Sequence, residues 1–168
     1  AKGARDAGAK IYRNNRVTNV KQLASGEWKV ITEKGEIICE HVVNAAGSFC
    51  PEVAEMVGLK NVPSINMVHQ YLVTESHPLI EKLEKELPVV RDPDSSSYLR
   101  QEGKGLLIGP YEQDVEAWAL DGMDWKFDME LLEPDLDRIE KHLEKGMDRI
   151  PEFKDVGIKK IICGPITH

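Results

Sequence analysis

His69 and Tyr71 stand two residues apart in the run HQYLVTE (69–75). On a β-strand that spacing puts both side chains on one face, roughly 7 Å apart. A histidine and a tyrosine so placed can deprotonate, or hydrogen-bond, an amine or a hydroxyl. The plainer reading is a hydrogen-bonded histidine beside a half-buried tyrosine, with no ligand. Tyr98 and Arg100 repeat the spacing in SSSYLRQEGKG (95–105). There the planar guanidinium can clamp a carboxylate, or serve a surface ion pair. A third feature is VVNAAGSF (42–49), an apolar run that ends in Ala45, Ala46 and Gly47. Small residues let a ligand approach the backbone closely. Pro51 suits the first turn of a helix, whose free N–H groups can face a phosphate. Close packing of a helix on a strand explains the same residues without a ligand.

Other chemistries find little support. Cys39, Cys50 and Cys163 form no CxxC pair and have no histidine at zinc-finger spacing, so they read as free thiols and no metal site is expected. His41, His77 and His142 read as surface residues, and His168 is left open. No Gly-x-Ser-x-Gly elbow, phosphate-binding P-loop or His-Glu-x-x-His motif occurs. The 168 residues are 41% hydrophobic and 30% charged, with net charge −7. Residues 1–50 carry 8 Lys/Arg against 5 Asp/Glu, and the remainder is strongly acidic. That balance argues against a nucleic-acid partner or an anionic membrane surface. No apolar run approaches the roughly 20 residues of a membrane span. The opening residues lack the apolar core of a signal peptide.

These residues need elements to position them. GARDAGAK reads as a helix end with Gly8 near its C-cap, followed by a short strand KIYR. Turns at Ser25-Gly26 and Lys34-Gly35 separate RVTNVKQLA, EWKVIT and EIICEHVVNAA into a β-meander. From Val42 the last of these becomes continuously apolar, as a strand buried on both faces would be. A helix follows with Val53, Met56 and Val57 on its stripe and Gly58 at its end. The pattern is that of an α/β domain with an antiparallel insertion. Beyond Pro63, SINMVHQYLVTE is a long strand and PLIEKLEKELP a short amphipathic helix. Two strands meet across Gly103-Lys104-Gly105, and VGIKKIICGP is a final strand. Leu136, Ile139, Leu143 and Met147 mark a longer helix. A second, mostly antiparallel sheet is therefore expected from about residue 62 to 163.

Taken in order, RVTNV, HVVNAAGSF, HQYLVTE, DPDSSSYLRQEGKGLLIGPYE and CGPIT resemble the dimethylglycine and sarcosine dehydrogenase branch of the FAD-dependent amine oxidoreductases. HQYLVTE and YLRQEGKGLLIGPYE are the specific parts, since VNAAG is shared by many flavoproteins. The resemblance implies an α/β (α+β) architecture: part of an FAD-binding α/β domain with a β-meander over residues 1–61, joined to part of an antiparallel-sheet substrate-binding domain over 62–168. It implies that the chain is an internal piece, with the Gly-x-Gly-x-x-Gly turn and the flavin-linking histidine preceding it. On that reading the isolated chain lacks activity and tight flavin binding.

The resemblance also implies roles. Val17 would contact the adenine through its backbone, and Ala45, Ala46 and Gly47 would pass close to the pyrophosphate and ribityl chain of FAD. His69 and Tyr71 would face the substrate near the flavin ring, while Tyr98 and Arg100 are candidate substrate-binding residues from their spacing alone. Ser48-Phe49-Cys50 and His168 depart from what relatives tend to carry. The implied substrate is an N-methyl amino acid, with tetrahydrofolate as a further cofactor through another domain and the electron acceptor unspecified. The regulatory subunit of pyruvate dehydrogenase phosphatase resembles the same family, so a non-catalytic role is the alternative. Abundant Lys and Ile suggest a bacterial cytoplasm, with a mitochondrial matrix as the alternative.

Overall fold

The computed structural model describes residues 1–128 and 130–168. It divides into two compact units, Ala1–Ser64 and Ile65–His168.

The smaller unit opens on α1 (Lys2–Asp6), which stops where Gly8 takes a positive φ of 94°. A three-stranded antiparallel meander follows: β1 (Val17–Gln22), β2 (Trp28–Thr32) and β3 (Gly35–Cys39). Its turns are where the sequence puts them, with Gly26 at φ 91°. Val20 is its buried strand residue. A 3-10 turn (Gly47–Phe49) then leads into α2 (Cys50–Glu55), with Pro51 in its first turn and Gly58 beyond its end.

Two strand expectations fail in this unit. Lys10–Arg13 is irregular, and β3 ends at Cys39. The apolar run that reads as a doubly buried strand is extended chain without strand pairing among the described residues, and Val43 is 86% exposed. The physical reason is that a strand needs a hydrogen-bonded neighbour. β-branched residues favour the extended backbone but cannot supply one.

The larger unit is a six-stranded antiparallel sheet built around β4 (Asn66–Thr74). β9 (Ile158–Thr167) pairs with β4 along its whole length and so occupies one edge. The other edge is shared. β7 (Gly105–Pro110) pairs at Leu72 and Val73, and β8 (Glu116–Trp118) at Asn66 to Val68. Beyond β7 lie β6 (Ser97–Glu102) and β5 (Val90–Asp92). α3 is a single turn, Pro78–Glu81, shorter than the sequence suggests. It is capped by His77, whose Nδ1 accepts the Leu79 N–H and whose ring lies 4.3 Å from that of Phe153. His77 is therefore structural rather than a free surface residue.

α4 (Leu136–Asp148) covers one face of the sheet. Asp135 caps it by accepting the Arg138 N–H. Ile139 is fully buried, and Gly146 lets the helix approach Ile108 and Ser97. His142 lies on the same stripe and is only 3% exposed, with Nδ1 3.4 Å from the Ser95 carbonyl. The surface placement read from sequence is thus wrong. Positions 139, 142, 143 and 146 form one helical face, and that face is the one turned to the sheet. At one end of the unit Ile80, Leu106 and Phe153 make a core with Met147, Ile150 and Val156.

Candidate functional site

Alternation along β4 sorts its side chains onto two faces. Val68, Gln70 and Leu72 are buried on the side that α4 covers. Met67, His69 and Tyr71 are half-buried on the other side. Register extends that open face outward: Tyr98 stands opposite Gly109 on β7, and Gly164 on β9 stands opposite His69. The two glycines leave a low floor between larger side chains. At Gly109 this is obligatory, because an added Cβ would lie 2.1 Å from Tyr98 Cζ. The Tyr98 ring occupies the space where a side chain would be. Tyr111 packs beside it at 5.6 Å between ring centroids, with the Arg91 guanidinium 4.8 Å above the Tyr111 ring.

Between its contacts with β8 and β7, the shared edge of β4 is open at residues 69–71. The chain leaves β7 after Pro110 and returns at Glu116, and the carboxylate of Glu112 enters that opening. Its side chain is completely buried. Oε2 lies 2.6 Å from His69 Nδ1, on the open face. Oε1 lies 4.0 Å from Arg138 Nε, which reaches it from α4. Neither carboxylate oxygen makes a well-aligned hydrogen bond, so both approaches are ionic contacts only. Burial pushes the Glu112 carboxyl above its ordinary range, and the proximity of His69 and Arg138 partly offsets that rise.

His69 has a second partner. Its Nε2 is 3.2 Å from Nε2 of His168, and the rings are 5.3 Å apart and tilted by 41°. His168 is held at that place by reciprocal backbone hydrogen bonds with Ile65, just beyond the last pairing of β9 with β4. Glu112, His69 and His168 thus form a chain of polar atoms running from the sheet interior to an exposed ring.

On the covered face Gln70 works as scaffold. Its amide donates to the Asp135 carbonyl at 2.6 Å and accepts the Asp135 N–H at 2.8 Å. That pair seats the start of α4, and with it Arg138, against β4.

Tyr98 retains its proton more strongly than a free phenol, first because of burial and then because Tyr111 and Tyr71 are close. A phenol held neutral is a hydrogen-bond donor rather than a base. Arg100 is committed locally, with Nη2 2.7 Å from Glu102 and Nη1 donating to the Gln101 carbonyl. This is the ion-pair arrangement that stood as its plainer reading. Burial likewise raises Cys163, so its thiol is not an activated nucleophile.

Val17, Ala45, Ala46 and Gly47 belong to the smaller unit. Val17 begins β1. Asn44 shapes the small-residue turn, since its Oδ1 accepts the Ala46 N–H while Nδ2 donates to the Cys50 carbonyl. Gly47 has φ 57°, and a Cβ there would meet nothing within 4 Å. The turn is therefore a backbone surface open to a flat or extended ligand. The helix behind it is too short, at six residues, to carry the phosphate-facing role read from the sequence.

Sequence reasoning found His69, Tyr71 and Tyr98, which the structure brings to one face. It missed Glu112, Gly109 and Tyr111. Pro110-Tyr111-Glu112-Gln113 has the composition of an ordinary polar turn, and only the register of three strands shows where Glu112 goes.

The sequence matches the FAD dependent oxidoreductase family over residues 1–167. It is 43% identical over 173 aligned residues to mouse mitochondrial dimethylglycine dehydrogenase, covering all of this chain and 20% of that protein. It is 36% identical to mouse mitochondrial sarcosine dehydrogenase, over 94% of this chain and 17% of that one. The chain thus spans about a fifth of the length of these relatives. Among solved structures, L-proline dehydrogenase from P. horikoshii superposes with a TM-score of 0.72 at 24% identity, covering 98% of this chain and 41% of that one. Among the described residues no helix is long and apolar enough to cross a membrane.

Proposed function

The chain belongs to the FAD-dependent oxidoreductase family, and from that premise we propose that the protein carrying it oxidatively demethylates an N-methyl amino acid, dimethylglycine or sarcosine. One observation carries the proposal. The open face of the larger unit gathers His69, Tyr71 and Tyr98 over a glycine floor, in a chain 43% identical throughout to a dimethylglycine dehydrogenase. FAD, when bound, accepts the hydride that leaves the N-methyl carbon.

The smaller unit supplies the residues that would hold it. Gly47 fits a dinucleotide because its backbone has open space in front of it, Ala45 and Ala46 add little bulk, and Val17 is assigned a backbone contact to the adenine. The larger unit supplies the substrate groups. A protonated amine cannot release electrons into a departing hydride, so the nitrogen must be bound neutral. In this proposal His69 and Tyr71, which share that face, hold or remove that proton. Tyr98, kept neutral, donates to the substrate carboxylate. Arg100 adds charge there once it turns from Glu102. On this reading residues 1–61 belong to the FAD-binding domain and 62–168 to the substrate-binding domain. Tetrahydrofolate is proposed only as the eventual carrier of the one-carbon product, and a bacterial cytoplasm or a mitochondrial matrix as the compartment.

The test is an anaerobic titration of the intact flavin-loaded protein with dimethylglycine and with sarcosine. Bleaching of the flavin band by one of them is expected, with His69→Gln slowing it on the order of 100-fold. Flavin that neither amine bleaches would overturn the reading and favour a non-catalytic relative.

A further inference from the structure

Arg100 follows Tyr98 by two residues on β6, so both side chains leave the strand on the open face. Its positive charge reaches the phenol, where it works against the rise caused by burial. The guanidinium already holds a carboxylate, however. Glu102, two residues further along the same face, places Oε2 2.7 Å from Arg100 Nη2. That contact is the one an arginine makes with a carboxylate ligand. Glu102 has a second set of neighbours. It lines a cavity of about 160 Å³ at the hairpin end of the sheet, together with Lys104 of the turn and Lys159 and Lys160 of β9. Among the described residues, the charged lining of that cavity is the Glu102 carboxylate and three ammonium groups.

We propose that Glu102 is an internal stand-in for a ligand carboxylate at Arg100, and that the lysine cavity receives the Glu102 side chain when a ligand displaces it. The inference deepens, and rests on, the reading of Tyr98 and Arg100 as the groups that bind the carboxylate of an N-methyl amino acid. In the closed arrangement Glu102 neutralises Arg100 and keeps it from other anions. In the open arrangement a ligand carboxylate takes Arg100 and the Tyr98 hydroxyl, and Glu102 turns towards Lys104, Lys159 and Lys160. Ion pairs are exchanged and no covalent bond changes. Glu102 is thus a positioning residue, acting on the ligand through Arg100.

The backbone allows this exchange without moving. Glu102 is the last residue of β6 and pairs with Gly105 across a two-residue turn, in which Gly103 takes φ 59°. At Gly105 an added Cβ would lie 2.7 Å from the Thr74 and Glu75 carbonyl oxygens, so the hairpin end sits tight against β4. The main chain of Glu102 is therefore held, and the exchange is a side-chain rotation. Solvent screens the pair, whose side chains are 40% and 38% exposed, so releasing Glu102 from Arg100 costs little. Arg100 keeps its bond from Nη1 to the Gln101 carbonyl, which holds the guanidinium in place when Glu102 leaves. Lys104 makes only a loose contact of 3.5 Å with Glu81, so its charge remains available to the cavity.

The experiment uses the intact flavin-loaded protein and methoxyacetate, a carboxylate with neither an amine nor an N-methyl group to oxidise. Its dissociation constant is measured by equilibrium dialysis at neutral pH and fixed ionic strength. Glu102→Gln should lower that constant about two- to fivefold, the range of a screened ion pair. Arg100→Gln should raise it. In the Arg100→Gln background, Glu102→Gln should bring no tightening, which separates the release of Arg100 from the mere loss of a negative charge. Lys104→Gln should raise the constant about twofold in the parent and leave it unchanged in the Glu102→Gln background. A constant that does not fall in Glu102→Gln, or that falls equally without Arg100, overturns the stand-in. A Lys104→Gln effect that persists without Glu102 overturns the receiving cavity. If Glu102→Gln tightens binding through Arg100 but no N-methyl amine bleaches the flavin, the exchange stands and the proposed reaction falls.

Discussion

The two faces of the larger sheet are made by the same strands and differ in almost everything else. On the face under α4, the even-numbered residues of β4 are buried, and polar groups such as Gln70 and Ser97 have partners within the fold. On the open face Met67, His69 and Tyr71 are half-buried, and glycine replaces bulk at two central places. The covered face holds shape, and the open face holds the candidate groups His69, Tyr71 and Tyr98. Because side chains alternate along a strand, a site can be placed one residue away from a core and inherit its rigidity.

That contrast can be broken from either side. The largest effect is expected on the covered face. Ile108→Ala, at 1% exposure, should cost ~2–5 kcal/mol of unfolding free energy in chemical denaturation while leaving ligand affinity of the folded protein nearly unchanged. Next comes the floor of the open face. Gly109→Ala forces the Tyr98 ring out of its place and should cost ~1–3 kcal/mol. Unlike the first variant, it should also weaken methoxyacetate binding in the folded protein. An unchanged dissociation constant would remove Tyr98 from the site.

Gln70→Ala tests the link between the faces. It deletes both bonds to Asp135 and should cost about 1–2 kcal/mol in the same denaturation assay. The smallest effect should come at the rim, where Arg149 holds Asp92 down to about 2. A depressed carboxyl contributes stability that is complete above its unfolded value near 3.8 and is lost as pH falls through about 2. Arg149→Ala should therefore be slightly less stable than the parent at neutral pH, and the two should converge in acid denaturation curves near pH 2. Both side chains are exposed or at the edge, so solvent screens most of this difference.

How much of this was legible beforehand depends on how local each feature is. The meander was readable because Ser25-Gly26 and Lys34-Gly35 specify turns without outside help. α4 was readable from the spacing of Ile139, Leu143 and Met147. The same spacing reaches His142, and its burial could have been inferred by letting the stripe include position 142. Val42 and Val43 misled because strand formation depends on a neighbour, and the local composition carries no information about one. Among the candidate residues, His69, Tyr71 and Tyr98 were visible through a two-residue period that reports a shared face. Glu112 was not visible. Its role arises from where β7 stops and β8 begins, which is a property of register across three strands.

The opening in the edge of β4 also bears on what the chain tolerates as it diverges. Connections between strands ordinarily accept insertions and deletions, because their length matters little to the sheets they join. Residues 111–115 are a connection of the opposite kind. Adding or removing one residue there would leave β7 and β8 able to pair as before, yet would carry the carboxylate away from His69. The sheet would survive and the contact would not, so in this segment length is constrained by where a side chain must arrive rather than by the pairing of strands.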